Sequence, residues 1–129
     1  MSHAAILCVD NEEIILQSLK EQLRRRFGNR YLYEVARDSV EAWSVIDELC
    51  EEGIAILIIV SDWLMPGVRG DEFLAQVHAR FPQIVKVLLT GQADEAAIAR
   101  ARRDANLYAC LHKPWSEDEL TAVIAGALC

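Results

Sequence analysis

The chain has 129 residues, enough for one domain with a core of its own. Apolar residues make up 53% and charged residues 26%, which excludes a disordered chain. Twenty acids against thirteen bases give a net charge of −7, which argues against nucleic-acid binding and against docking on an anionic membrane.

In chain order, Ala4–Val9 is a short apolar strand ending at Asp10, and Glu12 to Phe27 carries Ile15, Leu16, Leu19, Leu23 and Phe27 at helical spacing, closed by Gly28. Tyr31–Ala36 is a strand by composition. Asp38 or Ser39 caps a helix through Ala42, Val45, Ile46 and Leu49, ended by Gly53. The β-branched run Ile54–Val60 fits a strand buried on both faces and is too short to span a membrane. After a loop at Met65–Gly70, Asp71 to Arg80 reads as a helix with Phe73, Leu74 and Val77 inward. Ile84–Leu89 is a fourth strand, Asp94–Asp104 a helix and Leu107–Leu111 a weaker fifth strand. Ser116 and Glu119 form a capping box that opens a last helix to about Leu128.

This alternation predicts an α/β fold, five βα units with a parallel sheet covered by helices on both faces. Ligands in such sheets bind at the carboxyl ends of the strands. There the sequence places Asp10, Asn11 and Glu12, then Asp62, then Thr90 and Gly91, then Lys113 and Pro114. Carboxylates, a hydroxyl and an ammonium gathered at one edge suit phosphoryl chemistry on a divalent metal. The cysteines Cys8, Cys50, Cys110 and Cys129 lack metal-ligand spacing and read as reduced thiols of a cytoplasmic protein, three of them in apolar segments that suit burial. The first residues of the sequence lack the charged, apolar and small-residue regions expected of a signal peptide.

The pieces VDNEE (9–13), SDWLMPGVRG (61–70), LLTG (88–91) and HKPW (112–115), in this order and at these strand ends, resemble the receiver domain of two-component response regulators. The resemblance covers essentially the whole chain, 1–129, as a single receiver domain with no output domain. It implies a doubly wound, flavodoxin-like sheet of order 2-1-3-4-5. It makes Asp62 the phosphoacceptor, taking a phosphoryl group from the phosphohistidine of a histidine kinase or histidine phosphotransfer protein. It makes Asp10, Asp62 and the backbone carbonyl of Leu64 the ligands of Mg²⁺ (or Mn²⁺). Thr90 becomes the hydroxyl that reports the phosphoryl group, Lys113 the lysine that pairs with it, and Lys113–Pro114 a cis bond. The implied product is a switch rather than a metabolic enzyme. Its output is a biased face of fourth helix, fifth strand and fifth helix, presented to an effector or to a second copy in a homodimer.

Two positions depart from the family pattern. Asn11 stands where a second acid is usual, so its amide is expected to be a weak metal ligand. Cys110 stands where an aromatic switch is common, with Tyr108 one pleat earlier. Both departures keep a rival open, a non-phosphorylated pseudo-receiver serving as a protein-interaction module. An aspartyl-phosphate hydrolase of another family would want an Asp-x-Asp motif after the first strand, and a flavin carrier a first loop that is not acidic; this chain has neither. Leu64 and Gln92 flank the site and, by the same resemblance, influence water access. Trp63 is expected near the mouth of the site, Trp115 in packing or on a partner surface, and the arginines at 24–26 and at 100, 102 and 103 on solvated helix faces.

Overall fold

The computed structural model describes residues 3–91 and 95–129. Ten elements alternate: β1 (Ala4–Val9), α1 (Glu13–Phe27), β2 (Leu32–Ala36), α2 (Ser39–Glu51), β3 (Ala55–Asp62), α3 (Gly70–Arg80), β4 (Val85–Thr90), α4 (Glu95–Asp104), β5 (Ala109–His112) and α5 (Glu117–Leu128). A single 3₁₀ turn, Gly28–Arg30, joins α1 to β2. The strands form one parallel sheet in the order β2-β1-β3-β4-β5. The expected (βα) alternation and strand order are therefore both present. Gln92 and the expected helix start at Asp94 lie outside the described residues.

Alternation along the strands builds two cores. In β1, Ala5, Leu7 and Val9 face the layer of α2, α3 and α4. Ile6 and Cys8 face the layer of α1 and α5, with Leu16, Leu19, Leu23, Leu120 and Ile124. Burial on both faces is why the central strands read as unbroken apolar runs. Side-chain caps hold two helix starts. The Asp38 carboxylate accepts from the Glu41 N–H at 2.8 Å, and Ser116 and Glu119 make the reciprocal capping box. The helix α1 begins after Glu12 with no side-chain cap, so Asn11 does not cap it.

Two boundaries differ from the sequence reading in ways that matter. The strand β3 runs on through Ser61 and Asp62, because both pair with β4, opposite Leu88 and Leu89. β5 begins only at Ala109. Before it, Asn106 takes a left-handed φ of 52° and Leu107 N–H bonds back to Ala101 O at 3.3 Å, so this stretch closes α4. Tyr108 consequently stays outside the strand, half-exposed, with its hydroxyl over Gly126 of α5, where a Cβ would lie 2.7 Å away. Among the cysteines only Cys8 is buried, and burial pushes its thiol up to about 12; Cys50 and Cys129 are exposed and Cys110 is half-buried.

Lys86, in the middle of β4, is only 1% exposed. Its ammonium donates to Pro82 O at 3.2 Å and sits 2.7 Å from His78 Nδ1, which accepts when the imidazole is neutral. Burial lowers the Lys86 pKa from its ordinary value. The unfolded chain therefore binds more protons than the native one as pH approaches the ordinary lysine value, and stability rises with pH through that window. Lys86→Met is expected to stabilise the domain by about 1 kcal/mol at neutral pH, since a buried charge gives way to an apolar isostere. The gain should shrink in alkaline melts; a variant that melts lower at every pH would contradict this.

Candidate functional site

The carboxyl ends of β1, β3, β4 and β5 meet around one hollow of about 370 Å³, lined by Asn11, Glu12, Asp62, Leu64, Thr90, Gly91 and Lys113. A larger cleft of about 530 Å³ between α3 and α4 holds none of the strand-end residues. The strand-end residues named from the sequence therefore gather at the smaller hollow.

Asp10 is fully buried at the end of β1. Glu12 N–H donates to its Oδ1 at 2.8 Å. Its Oδ2 faces Lys113 Nζ at 2.8 Å as an ion pair and otherwise accepts no hydrogen bond among the described residues. The same ammonium lies 3.2 Å from Asp62 Oδ1. Lys113 is placed by its backbone: its N–H donates to Thr90 O at 2.7 Å, the next rung after the Thr90–His112 pair, and its bond to Pro114 is cis. Thr90, nearly fully buried, ends β4 at the same edge. Asn11 is exposed at the rim.

Two buried carboxylates thus share one ammonium, leaving an excess negative charge. Burial, and then the Asp10 charge, raise the Asp62 pKa above the usual carboxylate value despite the opposing pull of Lys113. Burial pulls the Lys113 pKa down, but Asp10 and Asp62 together outweigh it, so the ammonium is held above its ordinary value. The two directions are compatible because Lys113 has two anionic neighbours while Asp62 has one anion and one cation. The contribution of Lys113 is complete at neutral pH and is lost only as pH rises through its raised pKa.

The donor set fits a small hard cation. Among the described residues no three His, Cys, Asp or Glu side chains converge on one metal position. A sparsely bonded buried carboxylate oxygen on Asp10, a second carboxylate on Asp62 and neutral oxygens at the rim match Mg²⁺, which takes one or two carboxylates and keeps several waters.

The loop after Asp62 is closed tightly. Trp63 N–H donates to Leu89 O at 2.9 Å, and Gly70 N–H donates to Trp63 O at 2.7 Å. A Cβ on Gly70 would overlap the Asp62 carbonyl oxygen, so the start of α3 rests on the backbone of the acid itself. Trp63, expected at the mouth, is buried instead, and its indole N–H donates to Asp71 Oδ1 at 3.0 Å. The sequence reading missed Gly70 and Asp71. A glycine just before a helix and an acid in its first turn are each ordinary in sequence.

The residues singled out elsewhere have structural partners. The Trp115 indole donates to Gln22 Oε1 at 2.8 Å. Arg25 makes a two-pronged ion pair with Glu117, and Arg103 pairs with Asp104. No helix among the described residues is long and apolar enough to cross a membrane.

Comparison with known proteins agrees with this architecture. The family model of the response regulator receiver domain matches residues 6–125. The hydrogenase transcriptional regulatory protein HoxA of Cupriavidus necator is 30% identical over 125 residues, covering 97% of this chain and 24% of that protein. The sensor kinase CckA of Brucella abortus is 28% identical over 97% of this chain and 12% of its own length. The chain thus spans a quarter or less of the length of these two relatives. The signal receiver domain of an HD domain-containing protein from Pseudomonas fluorescens Pf-5 superimposes with a TM-score of 0.86, 31% identical, covering 97% of this chain and 94% of that one. With the acid pair, the lysine and the 2-1-3-4-5 sheet, the chain belongs to the response regulator receiver domains of two-component systems.

Proposed function

We propose that the chain is a phosphoacceptor switch in which Asp62 takes a phosphoryl group from phosphohistidine. The observation that carries this is the buried Asp10–Lys113–Asp62 cluster, two acids and one ammonium at the carboxyl edge of the sheet. An Asp62 carboxylate oxygen attacks phosphorus, an O–P bond forms as the P–N bond breaks, and the histidine of the donor leaves. Lys113 already contacts Asp62 and exchanges that contact for a phosphoryl oxygen. Thr90, at the neighbouring strand end, offers its hydroxyl to another phosphoryl oxygen. Asp10, Asp62 and the Leu64 carbonyl would hold Mg²⁺, with the Asn11 amide as a weak addition. Bound there, the ion would supply positive charge against the excess negative charge of the acid pair and of the incoming phosphate. The acyl phosphate then hydrolyses slowly, and the phosphorylated state favours one conformation of α4, β5 and α5 toward an effector or a second copy. The donor would be a histidine kinase or a phosphotransfer protein.

Acetyl phosphate with Mg²⁺ should add one phosphoryl group to the wild type by mass spectrometry and none to Asp62→Asn. No mass gain on the wild type would favour the non-phosphorylated interaction module, the reading to which the neutral Asn11 points. Asn11→Asp adds a third acid and should bind Mg²⁺ about tenfold more tightly, because affinity follows ligand charge. Without metal the same variant should melt lower than wild type, since it enlarges the uncompensated charge. Isothermal titration giving equal affinities would remove this role for Asn11.

A further inference from the structure

The Asp71 carboxylate, which the phosphoacceptor reading leaves unused, touches two distant parts of the molecule. It lies in the first turn of α3 and is almost wholly buried. Its Oδ1 accepts from the indole of Trp63, the residue next to Asp62, at 3.0 Å. Its Oδ2 accepts from Arg100 Nε of α4 at 3.3 Å. Both oxygens are spent on different elements. One fixes the corner that follows the acid; the other fixes the helix across the α3–α4 cleft.

The corner has little freedom to move by itself. Trp63 is held through its N–H, its carbonyl and its indole, by Leu89, Gly70 and Asp71 respectively. Gly70 packs directly on the Asp62 carbonyl. A shift of Asp62 and its neighbour Leu64 therefore has to pull on Trp63, and through the indole on Asp71. The Arg100 side chain is partly exposed, so its ion pair is the softer end of the chain of contacts. Trp63, Phe73 and Ala97 also share one core, so the apolar packing between β3, α3 and α4 is continuous with the polar path.

We infer that Asp71 is a positioning residue: through Trp63 it orients the Asp62–Leu64 corner, and through Arg100 it ties that orientation to α4. This rests on Asp62 being the reactive acid, and it adds a defined connection from that acid to the fourth helix. Such a link is physical only if a change at one end moves the other.

The test perturbs Asp62 in two ways, by acetyl phosphate with Mg²⁺ and by Asp62→Asn, which needs no phosphoryl chemistry. Hydrogen exchange is read over Glu95–Asp104, and the Trp63 indole N–H is followed by NMR, assigned with Trp63→Phe. In the wild-type background either perturbation should change α4 exchange by about 2–30-fold, the range over which single residues modulate coupling. In Arg100→Gln and in Asp71→Asn the α4 response should fall to less than about 1.5-fold. The indole bond should survive in both variants, since an Asn side-chain oxygen still accepts from it. Asp71→Leu should lose the α4 response and the indole bond together, and if it fails to fold the two milder variants carry the test. Should acetyl phosphate leave no mass on the wild type, the phosphoacceptor reading falls while the Asp62→Asn arm still decides the link. An unchanged α4 response in Arg100→Gln, or no α4 response to Asp62→Asn in the wild-type background, would overturn it.

Discussion

Asp62→Asn is expected to abolish acyl-phosphate formation and to raise the melting temperature by about 3 °C at neutral pH. The two effects have one cause. Asp62 is buried beside Asp10, and both conditions raise its pKa above the ordinary carboxylate value. Between the ordinary and the raised pKa the native state holds a proton that the unfolded chain has released. Stability therefore falls as pH rises through that window, and at neutral pH the ionised acid carries a standing cost. The amide removes the charge while Lys113 keeps its closer contact with Asp10, at 2.8 Å. The gap between variant and wild type should close as the pH falls below about 3, under the ordinary carboxylate pKa, where the carboxyl is neutral in both states. Calorimetric melts across pH, with intact-mass analysis after acetyl phosphate, check both halves. A variant that melts below wild type at neutral pH would show that Lys113–Asp62 pairing outweighs the burial of charge.

Gly70→Ala is expected to cost about 3 kcal/mol, the upper range of overpacking, and to lower the melting temperature by about 10 °C. The added carbon would overlap the Asp62 carbonyl oxygen, lie 2.8 Å from the Asp62 carbonyl carbon and lie 2.9 Å from Trp63 Cα. All three are backbone atoms, so no side-chain rotation relieves the clash. Either α3 lifts away from the sheet or the end of β3 moves, and the second outcome displaces Asp62. Phosphorylation by acetyl phosphate should consequently slow along with the loss of stability. A Gly70→Ala protein with wild-type melting behaviour would mean that the α3 start is looser than its hydrogen bond to Trp63 O implies.

Much of this molecule is readable from its residues because its signals are local. Strand and helix periods depend on which residues must face a core, and the runs at 4–9 and 54–60, with helical spacing through Phe27, state that directly. The capping box at Ser116 is equally local, and its reciprocal bonds are present. The strand ends follow from topology, which is why Asp10, Asp62, Thr90 and Lys113 could be nominated from sequence and now border one hollow or its floor.

What sequence could not supply is the set of contacts made between elements. Ser61 and Asp62 belong to β3 because β4 offers them ladder partners. Trp63 turns into the core because Asp71, eight residues on, accepts its indole proton. Lys86 reads as a strand residue, and its burial against His78 depends on where α3 crosses β4. The net charge of −7 likewise gave no warning that two acids and one lysine would be buried together. The sequence by itself determined the βα alternation and the residue types at the strand ends, since both follow from burial period and chain order. Only the tertiary structure decided how close those residues come, which of them share a proton donor and which glycine must stay bare, because distances between segments are fixed by packing rather than by pattern.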